Sequence, residues 1–281
     1  MKNNSKMPVA YENQNFLKKG SARPIRILAE YLEPASRLRK YRIKDTIVFY
    51  GSARALPMDQ AQEKYSEIVE KDGFDPDKNQ MDRIALSEAK GMVKLAEYYE
   101  SARELARRLT EWSMSLQNGQ RFIICSGGGP GMMEAANRGA FEAGGVSIGM
   151  NISIPHEQSP NRYISPELNF QFHYFFMRKF WFMYLAKALV VMPGGFGTMD
   201  ELFEVLTLIQ TKKLQKTIPI VLFGVDYWED VIQFHKFVDW GTIDNSDLSL
   251  FAFANTVDEA YDFLVSQLTK RFLGKRKFWY L

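Results

Sequence analysis

Apolar residues along this 281-residue chain follow two alternating patterns. Short, nearly continuous runs occur at Thr46–Tyr50, Phe122–Cys125, Val146–Met150, 188–192 and Pro219–Phe223. Runs of four to six apolar residues bounded by turn residues read as buried strands, and 170–175 reads as extended. The longer segments between them repeat apolar residues every three to four positions, the spacing of an amphipathic helix. Pro24–Arg42 does so through Ile25, Leu28, Ala29, Leu32 and Leu38. Asp82–Leu116 does so through Ile84, Met92, Leu95, Tyr98, Leu105, Leu109 and Trp112, as one long helix or two. Further helices are predicted over 132–143, 176–187, 199–213, 227–238 and 258–272. Residues 57–81 are charged, carry Gly73 and Pro76, and read as an insertion with little core of its own; 154–166 reads as an irregular loop. Strands alternating with helices predict an α/β fold, a mostly parallel sheet covered by helices on both faces.

Composition narrows the function classes. The apolar and charged fractions, 46% and 25%, are those of an ordinary globular protein. One cysteine, Cys125, rules out a disulfide framework or a cysteine metal cage, and His156, His173 and His235 lack ligand spacing. No metal site is expected. Residues 170–192 are the most membrane-like stretch, but Arg178, Lys179 and Lys187 interrupt it, so no membrane span is expected. Met1–Ala10 has no apolar core of an export signal, and a cytoplasmic location is the expectation. Residues 1–44 carry eleven Lys and Arg against three Asp and Glu, and 270–277 holds a second basic cluster. Without interleaved aromatics these read as solvated faces and tails, not a nucleic-acid surface. The chain divides into a polar tail with a basic helix (1–43), an α/β domain (44–272) and a basic tail (273–281).

Two glycine-rich turns follow strands. Gly127-Gly128-Gly129-Pro130-Gly131 follows Phe122–Cys125, and Pro193-Gly194-Gly195-Phe196-Gly197-Thr198 follows 188–192. Glycines admit positive φ and close backbone approach, and the start of a helix favours an anion. The first turn is a weak dinucleotide fingerprint, because it follows the second strand and the next strand ends without an acid. Together the turns read as two walls of one nucleotide-sized crevice. Glu201 stands one helical turn beyond the second. Thr198-x-x-Glu201 is also the spacing of a capping box, and spacing alone leaves the functional and capping readings level. Arg178 on an apolar helix can simply snorkel to solvent, yet between Phe176 and Phe180 an arginine is costly unless paired with a carboxylate or an anion.

Phe49-Tyr50-Gly51-Ser52-Ala53-Arg54, Gly127 to Asn137, Met177-Arg178-Lys179 and Pro193 to Glu201 occur in the order seen in the LOG ("lonely guy") family, which this chain resembles over about residues 44–270. That family comprises cytokinin riboside 5′-monophosphate phosphoribohydrolases and related nucleoside-monophosphate nucleosidases, long labelled "possible lysine decarboxylase". The N-terminal helix and the 57–81 insertion resemble its longer bacterial branch. The resemblance implies a Rossmann-like, doubly wound domain with an N-terminal helical extension, usually a homodimer. It implies catalytic roles for Arg178 and Glu201, and a phosphate loop at Gly194, Gly195, Gly197 and Thr198. It implies nucleotide contacts at Gly51, Ser52, Gly128, Gly129, Gly131 and Glu134; at Glu134 compact members carry glycine.

The implied reaction is hydrolysis of the N-glycosidic bond of a nucleoside 5′-monophosphate, such as AMP or a cytokinin riboside monophosphate. It needs no metal or organic cofactor. The alternative is a non-catalytic nucleotide or nucleotide-cofactor carrier on the same scaffold. Lysine decarboxylation is not expected, because no lysine lies in a recognisable pyridoxal-phosphate motif.

Overall fold

Seven parallel strands in the order β4-β3-β2-β1-β5-β6-β7 make a single sheet in the computed structural model, which describes residues 8–116, 120–154, 159–216 and 218–273. In chain order the elements are α1 (Gln14–Leu17), α2 (Arg23–Lys40), β1 (Thr46–Tyr50), α3 (Met58–Val69), α4 (Gln80–Ser115), β2 (Ile123–Ser126), α5 (Met132–Glu142), β3 (Ser147–Ile152), β4 (Asn169–Phe172) and α6 (Phe175–Leu185). They continue with β5 (Ala186–Val191), α7 (Phe196–Gln210), β6 (Ile220–Phe223), α8 (Val225–Val231), α9 (Phe234–Asp239), β7 (Ala252–Ala254) and α10 (Val257–Leu268). The expected doubly wound α/β fold is therefore present, and every strand pair in it is parallel.

Both faces of the sheet are buried, which is why its strands read as continuous apolar runs. Along β1, Ile47 and Phe49 turn toward α4, α5 and α10, while Val48 and Tyr50 turn toward α6 and α7. The chain leaves β1 for β2, β3 and β4 on one side and crosses over to β5 on the other. That reversal between β1 and β5 is a topological switch point, and open α/β sheets bind ligands just outside the strand carboxyl ends there.

Several elements differ from the sequence reading. Residues 82–115 fall within a single 36-residue helix, α4, and Leu116 is its C-cap. The 57–81 segment contains α3, which packs on α4 and buries only Ala61. The helix expected over 227–238 is two, α8 and α9, broken where Ile232 becomes extended. β7 was not foreseen, since three residues are too few to carry a periodicity. The basic tail beyond 273 and His156 lie outside the described residues. Among the described residues, no helix is long and apolar enough to cross a membrane.

The basic helix α2 is docked on the domain and positions α6. Pro34 lacks an N–H and so leaves the carbonyl four residues back without its helical donor. That carbonyl, on Glu30, accepts the indole N–H of Trp181 in α6 at 2.9 Å. The Glu30 carboxylate accepts the backbone N–H groups of His173 (2.8 Å) and Tyr174 (3.2 Å), which precede α6. A carboxylate at a helix N-terminus answers both the unpaired amides and the dipole. Arg37 donates to the Asn169 carbonyl at 2.8 Å and covers the Phe170 ring at 4.2 Å, and Arg26 donates to the Leu17 and Lys19 carbonyls. These basic side chains work inside the fold.

Candidate active site

Three turns meet at the carboxyl ends of β1, β2 and β5, and the backbone of Ser52 joins them. Its N–H donates to the Pro193 carbonyl (3.0 Å) and its carbonyl accepts the Met132 N–H (2.9 Å). Its hydroxyl accepts the Arg54 N–H at 3.1 Å. Such close approach needs glycine on the facing turns. Gly131 has φ +72°, and a Cβ there would run into the Ser52 carbonyl. A Cβ on Gly194 would collide with the Thr198 side chain and come within 2.9 Å of the Ser52 nitrogen.

A buried network fixes the β2 turn. Asn161 donates through its side-chain amide to the Gly128 and Gly129 carbonyls and to Asn137 Oδ1, all between 3.0 and 3.1 Å. Asn137 Oδ1 also accepts the Ser126 hydroxyl at 2.6 Å. Buried polar groups with all partners in place hold one arrangement.

The β5 turn runs into α7, whose N-cap is Gly195. The helix therefore begins three residues earlier than its sequence suggested. Thr198 lies inside the first turn, and no side-chain cap is present. This removes the capping reading of Glu201, which stands in the second turn and does not reach back to the N-cap amide. The first hydrogen bonds run from Thr198 and Met199 N–H to the Gly195 carbonyl, so the Phe196 and Gly197 amides have no intrahelical acceptor. With the dipole behind them, these amides favour an anion.

Glu201 is 6% exposed, and Arg178 Nη2 approaches its Oε1 at 3.5 Å. Arg178 projects from α6, with its guanidinium between the Phe175 ring (5.7 Å) and the Phe182 ring (5.3 Å). Lys179 Nζ stands 3.8 Å from Glu201 Oε2, 2.8 Å from Asp200 and 2.6 Å from Glu204. Burial pushes the Glu201 carboxyl above the ordinary glutamate range, and Lys179 and then Arg178 pull it part of the way back. Burial works against the Lys179 ammonium, but Asp200, Glu204 and Glu201 hold its pKa above the usual value.

A cavity of about 760 Å³ joins these parts. Gly51, Ser52, Gly129, Gly194, Gly195, Gly197, Thr198, Arg178 and Glu201 all line it. Gly128, Gly131 and Glu134 do not. Gly128 and Gly131 shape the turn through positive φ, and the Glu134 carboxylate accepts the Tyr99 hydroxyl of α4 at 3.0 Å. Beside these groups, Leu95, Met133, Ile152, Ile154 and Val231 give the cavity an apolar part. Among the described residues no group of three or more His, Cys, Asp or Glu could hold a metal ion.

Sequence reasoning left four lining or supporting residues without a role. Lys179 was given no role in the site, although Asp200 and Glu204, four apart on one helix, signal a cation between them. Tyr50 ends β1 at the cavity floor. The Tyr227 hydroxyl donates to the Gly194 carbonyl and so braces the glycine loop from α8. Phe196, 95% exposed at the rim, carries no sequence signal beyond its place in the motif.

A family model described as "Possible lysine decarboxylase" matches residues 133–264, the segment that carries Arg178 and the α7 loop. The chain is 29% identical over 147 residues to the probable cytokinin riboside 5′-monophosphate phosphoribohydrolase LOGL5 of Oryza sativa subsp. japonica. It is 28% identical over 170 residues to the cytokinin riboside 5′-monophosphate phosphoribohydrolase LOG7 of Arabidopsis thaliana. The chain is thus similar to members of the LOG family. These two alignments cover 50% and 59% of this chain, and 54% and 73% of the respective relatives; the chain thus spans about half the length of the first. Among solved structures it is similar to the molybdenum cofactor binding protein of the phototrophic bacterium Rippkaea orientalis, at 15% identity and a TM-score of 0.46 over 80% of this chain and 98% of that one. It is also similar to the Moco carrier protein of Chlamydomonas reinhardtii, at 18% identity and a TM-score of 0.44 over 80% and 99%. The segments whose motifs resemble the LOG family, separated in sequence by up to about 150 residues from Gly51 to Glu201, surround one cavity here.

Proposed function

We propose that this chain is a nucleoside 5′-monophosphate phosphoribohydrolase of the LOG kind. The observation that carries the proposal is a nearly buried carboxylate, Glu201, ion-paired to Arg178 one turn beyond an anion-favouring glycine loop at the sheet's switch point. The names of the relatives in the alignments support the same reading.

The 5′-phosphate sits on the Gly194–Thr198 loop, with Ser52 beside it. Glycosidic cleavage develops positive charge on the ribosyl carbon and its ring oxygen. Glu201 faces that charge, stabilising it and orienting or deprotonating the attacking water. Water oxygen bonds to C1′, the C1′–N bond breaks, and the departing base nitrogen takes up a proton. The products are a free base and ribose 5-phosphate. Arg178, fixed between two aromatic rings, keeps Glu201 ionised and in place. The apolar part of the cavity receives the base.

A second copy of this chain is the proposed partner. Leu28 and Leu32 of α2, with Phe176, Phe180 and Tyr184 of α6, are each 39–54% exposed on adjoining helices, an apolar surface that a homodimer would cover. Sedimentation equilibrium giving twice the chain mass supports that arrangement, and a monomer at micromolar concentration contradicts it. The activity itself is tested by chromatographic release of free base from nucleoside monophosphates by the wild-type chain and by Glu201→Gln.

A further inference from the structure

Tyr227 of α8 lines the same cavity as the Gly194–Thr198 loop, and its hydroxyl donates to the Gly194 carbonyl at 2.5 Å. Burial raises its pKa above the ordinary tyrosine value, so the hydroxyl stays protonated and able to donate. α8 is itself anchored at the carboxyl ends of β6 and β7. The Gly224 N–H donates to the Ala254 carbonyl and the Val225 N–H to Asn255 Oδ1, both at 2.8 Å. The neighbouring Trp228 is fully buried, donates its indole N–H to the Phe223 carbonyl at 3.0 Å, and packs edge-on against the Tyr227 ring.

Three successive carbonyls of the loop are each held by a donor. Pro193 accepts the Ser52 N–H, Gly194 accepts the Tyr227 hydroxyl, and Gly195 accepts the Thr198 and Met199 N–H groups. The N–H groups of Gly195, Phe196 and Gly197 have no acceptor among the described residues. A loop with its carbonyls taken and its amides open suits an anion. The weak point is the Gly194–Gly195 peptide. A trans peptide is planar, so its C=O and N–H point in opposite directions, and turning it over changes only ψ of one residue and φ of the next. Both residues are glycine here, so no Cβ opposes that turn. Turned over, the peptide would exchange the Gly195 N–H for a carbonyl oxygen beside the open Phe196 and Gly197 amides.

We infer that Tyr227 is a positioning residue for phosphate recognition: its hydrogen bond to Gly194 locks the Gly194–Gly195 peptide with the N–H toward the phosphate. The inference rests on this loop being the 5′-phosphate seat. It gives α8, which carries neither Arg178 nor Glu201, a part in affinity for the substrate rather than in bond cleavage.

The test is a double-mutant cycle of Tyr227→Phe and Gly195→Ala in the full chain, read by titration with inorganic phosphate, which binds without turnover. Tyr227→Phe should stay folded and melt within a few degrees of wild type, because it loses one hydrogen bond. It should bind phosphate about tenfold more weakly, or ~1.4 kcal/mol. Gly195 has φ −86°, which alanine adopts, and a Cβ there meets nothing within 4 Å. The turned-over peptide needs a positive φ at that position, which alanine disfavours. In the Gly195→Ala background, Tyr227→Phe should therefore cost less than about threefold. An unchanged phosphate affinity in Tyr227→Phe overturns the inference, as does an equal loss in both backgrounds, the mark of a merely structural role. Wild type that binds no phosphate removes the seat and the inference together. Base release from AMP is assayed separately. If it is absent while the phosphate contrast persists, the nucleosidase reading fails and the Tyr227 assignment stands.

Discussion

The Arg178 guanidinium and the Glu201 carboxylate stand 3.5 Å apart, one on α6 and the other on α7, and each is at most 15% exposed at its side chain. Neither helix brings the pair together alone. α6 is set at its start by Glu30 of α2, and α7 by the glycine turn that Ser52 holds against the β1 loop. The pair is therefore a product of the whole fold. Its burial decides its chemistry, since a water-exposed ion pair at this distance would do little to a carboxylate's pKa.

Replacing Glu201 by Gln keeps the shape and removes the charge. Base release should fall about 100-fold or more, the range for loss of a general base or a charge stabiliser, with the circular dichroism spectrum unchanged. Stability should change in the opposite sense. Burial raises the folded-state pKa of Glu201, so the fold favours its protonated form, and wild type gives up stability as pH rises through the carboxylate range. The variant should melt at or above wild type at neutral pH, with the gap closing below the ordinary glutamate range. A wild type that is more stable at neutral pH would contradict this sign.

Activity that depends on ionised Glu201 should fall as pH drops, with a midpoint above the usual glutamate value. Lys179 is the largest charge holding that midpoint down. Lys179→Met should move the acidic limb of the kcat/KM profile to higher pH, and Arg178→Met should move it in the same direction by less. A profile that does not move in either variant would separate Glu201 from the titration.

The glycine loop makes a steric prediction. Gly194→Ala forces a Cβ into Thr198 and the Ser52 nitrogen, and should destabilise the fold by roughly 1–3 kcal/mol. A Cβ on Gly197 meets nothing within 4 Å, and alanine favours the helix, so Gly197→Ala should be as stable as wild type or better by about 0.5–1 kcal/mol. If an anion approaches the α7 amides, Gly197→Ala should still weaken inorganic phosphate binding about tenfold. Thermal melts and phosphate titrations of the two variants read these effects separately.

Glu30 lies far from the cavity in sequence but caps the helix that carries Arg178. Glu30→Ala leaves the His173 and Tyr174 amides without their acceptor and should cost about 1 kcal/mol, typical of a lost N-cap. The melting temperature should drop by several degrees, and kcat should fall more than KM rises, because Arg178 loses its anchor. Glu30→Gln, which keeps one acceptor, should recover part of both.

The sheet was legible because its strands are buried on both faces and so read as unbroken apolar runs. Thr46–Tyr50 matches residue for residue. The two glycine turns and Glu201 were legible from the motif, and Arg178 from its cost among aromatics. The start of α7 was not. Gly195 and Gly197 are poor helix formers, and the sequence puts the helix after them, whereas the structure uses Gly195 as the N-cap and takes Gly197 into the first turn. That shift decides whether Thr198 and Glu201 form a cap. The Glu30 carboxylate and the His173 and Tyr174 amides before α6 lie more than 140 residues apart, and the Glu30 carbonyl that Pro34 frees meets Trp181 across a similar gap. Pairings of that kind depend on tertiary docking, which local periodicity does not encode. Tyr50 was hidden differently: as part of an apolar strand it looked like core, and its place at the end of β1 against the cavity distinguishes it.

The most direct measurement is chromatographic analysis of a panel of nucleoside 5′-monophosphates, AMP among them, incubated with wild-type chain and with Glu201→Gln. The account predicts equimolar free base and ribose 5-phosphate from at least one member with wild type, and about 100-fold less or none with the variant. Base release that persists at the wild-type rate in Glu201→Gln, or intact nucleotide throughout the panel with wild type, would contradict it.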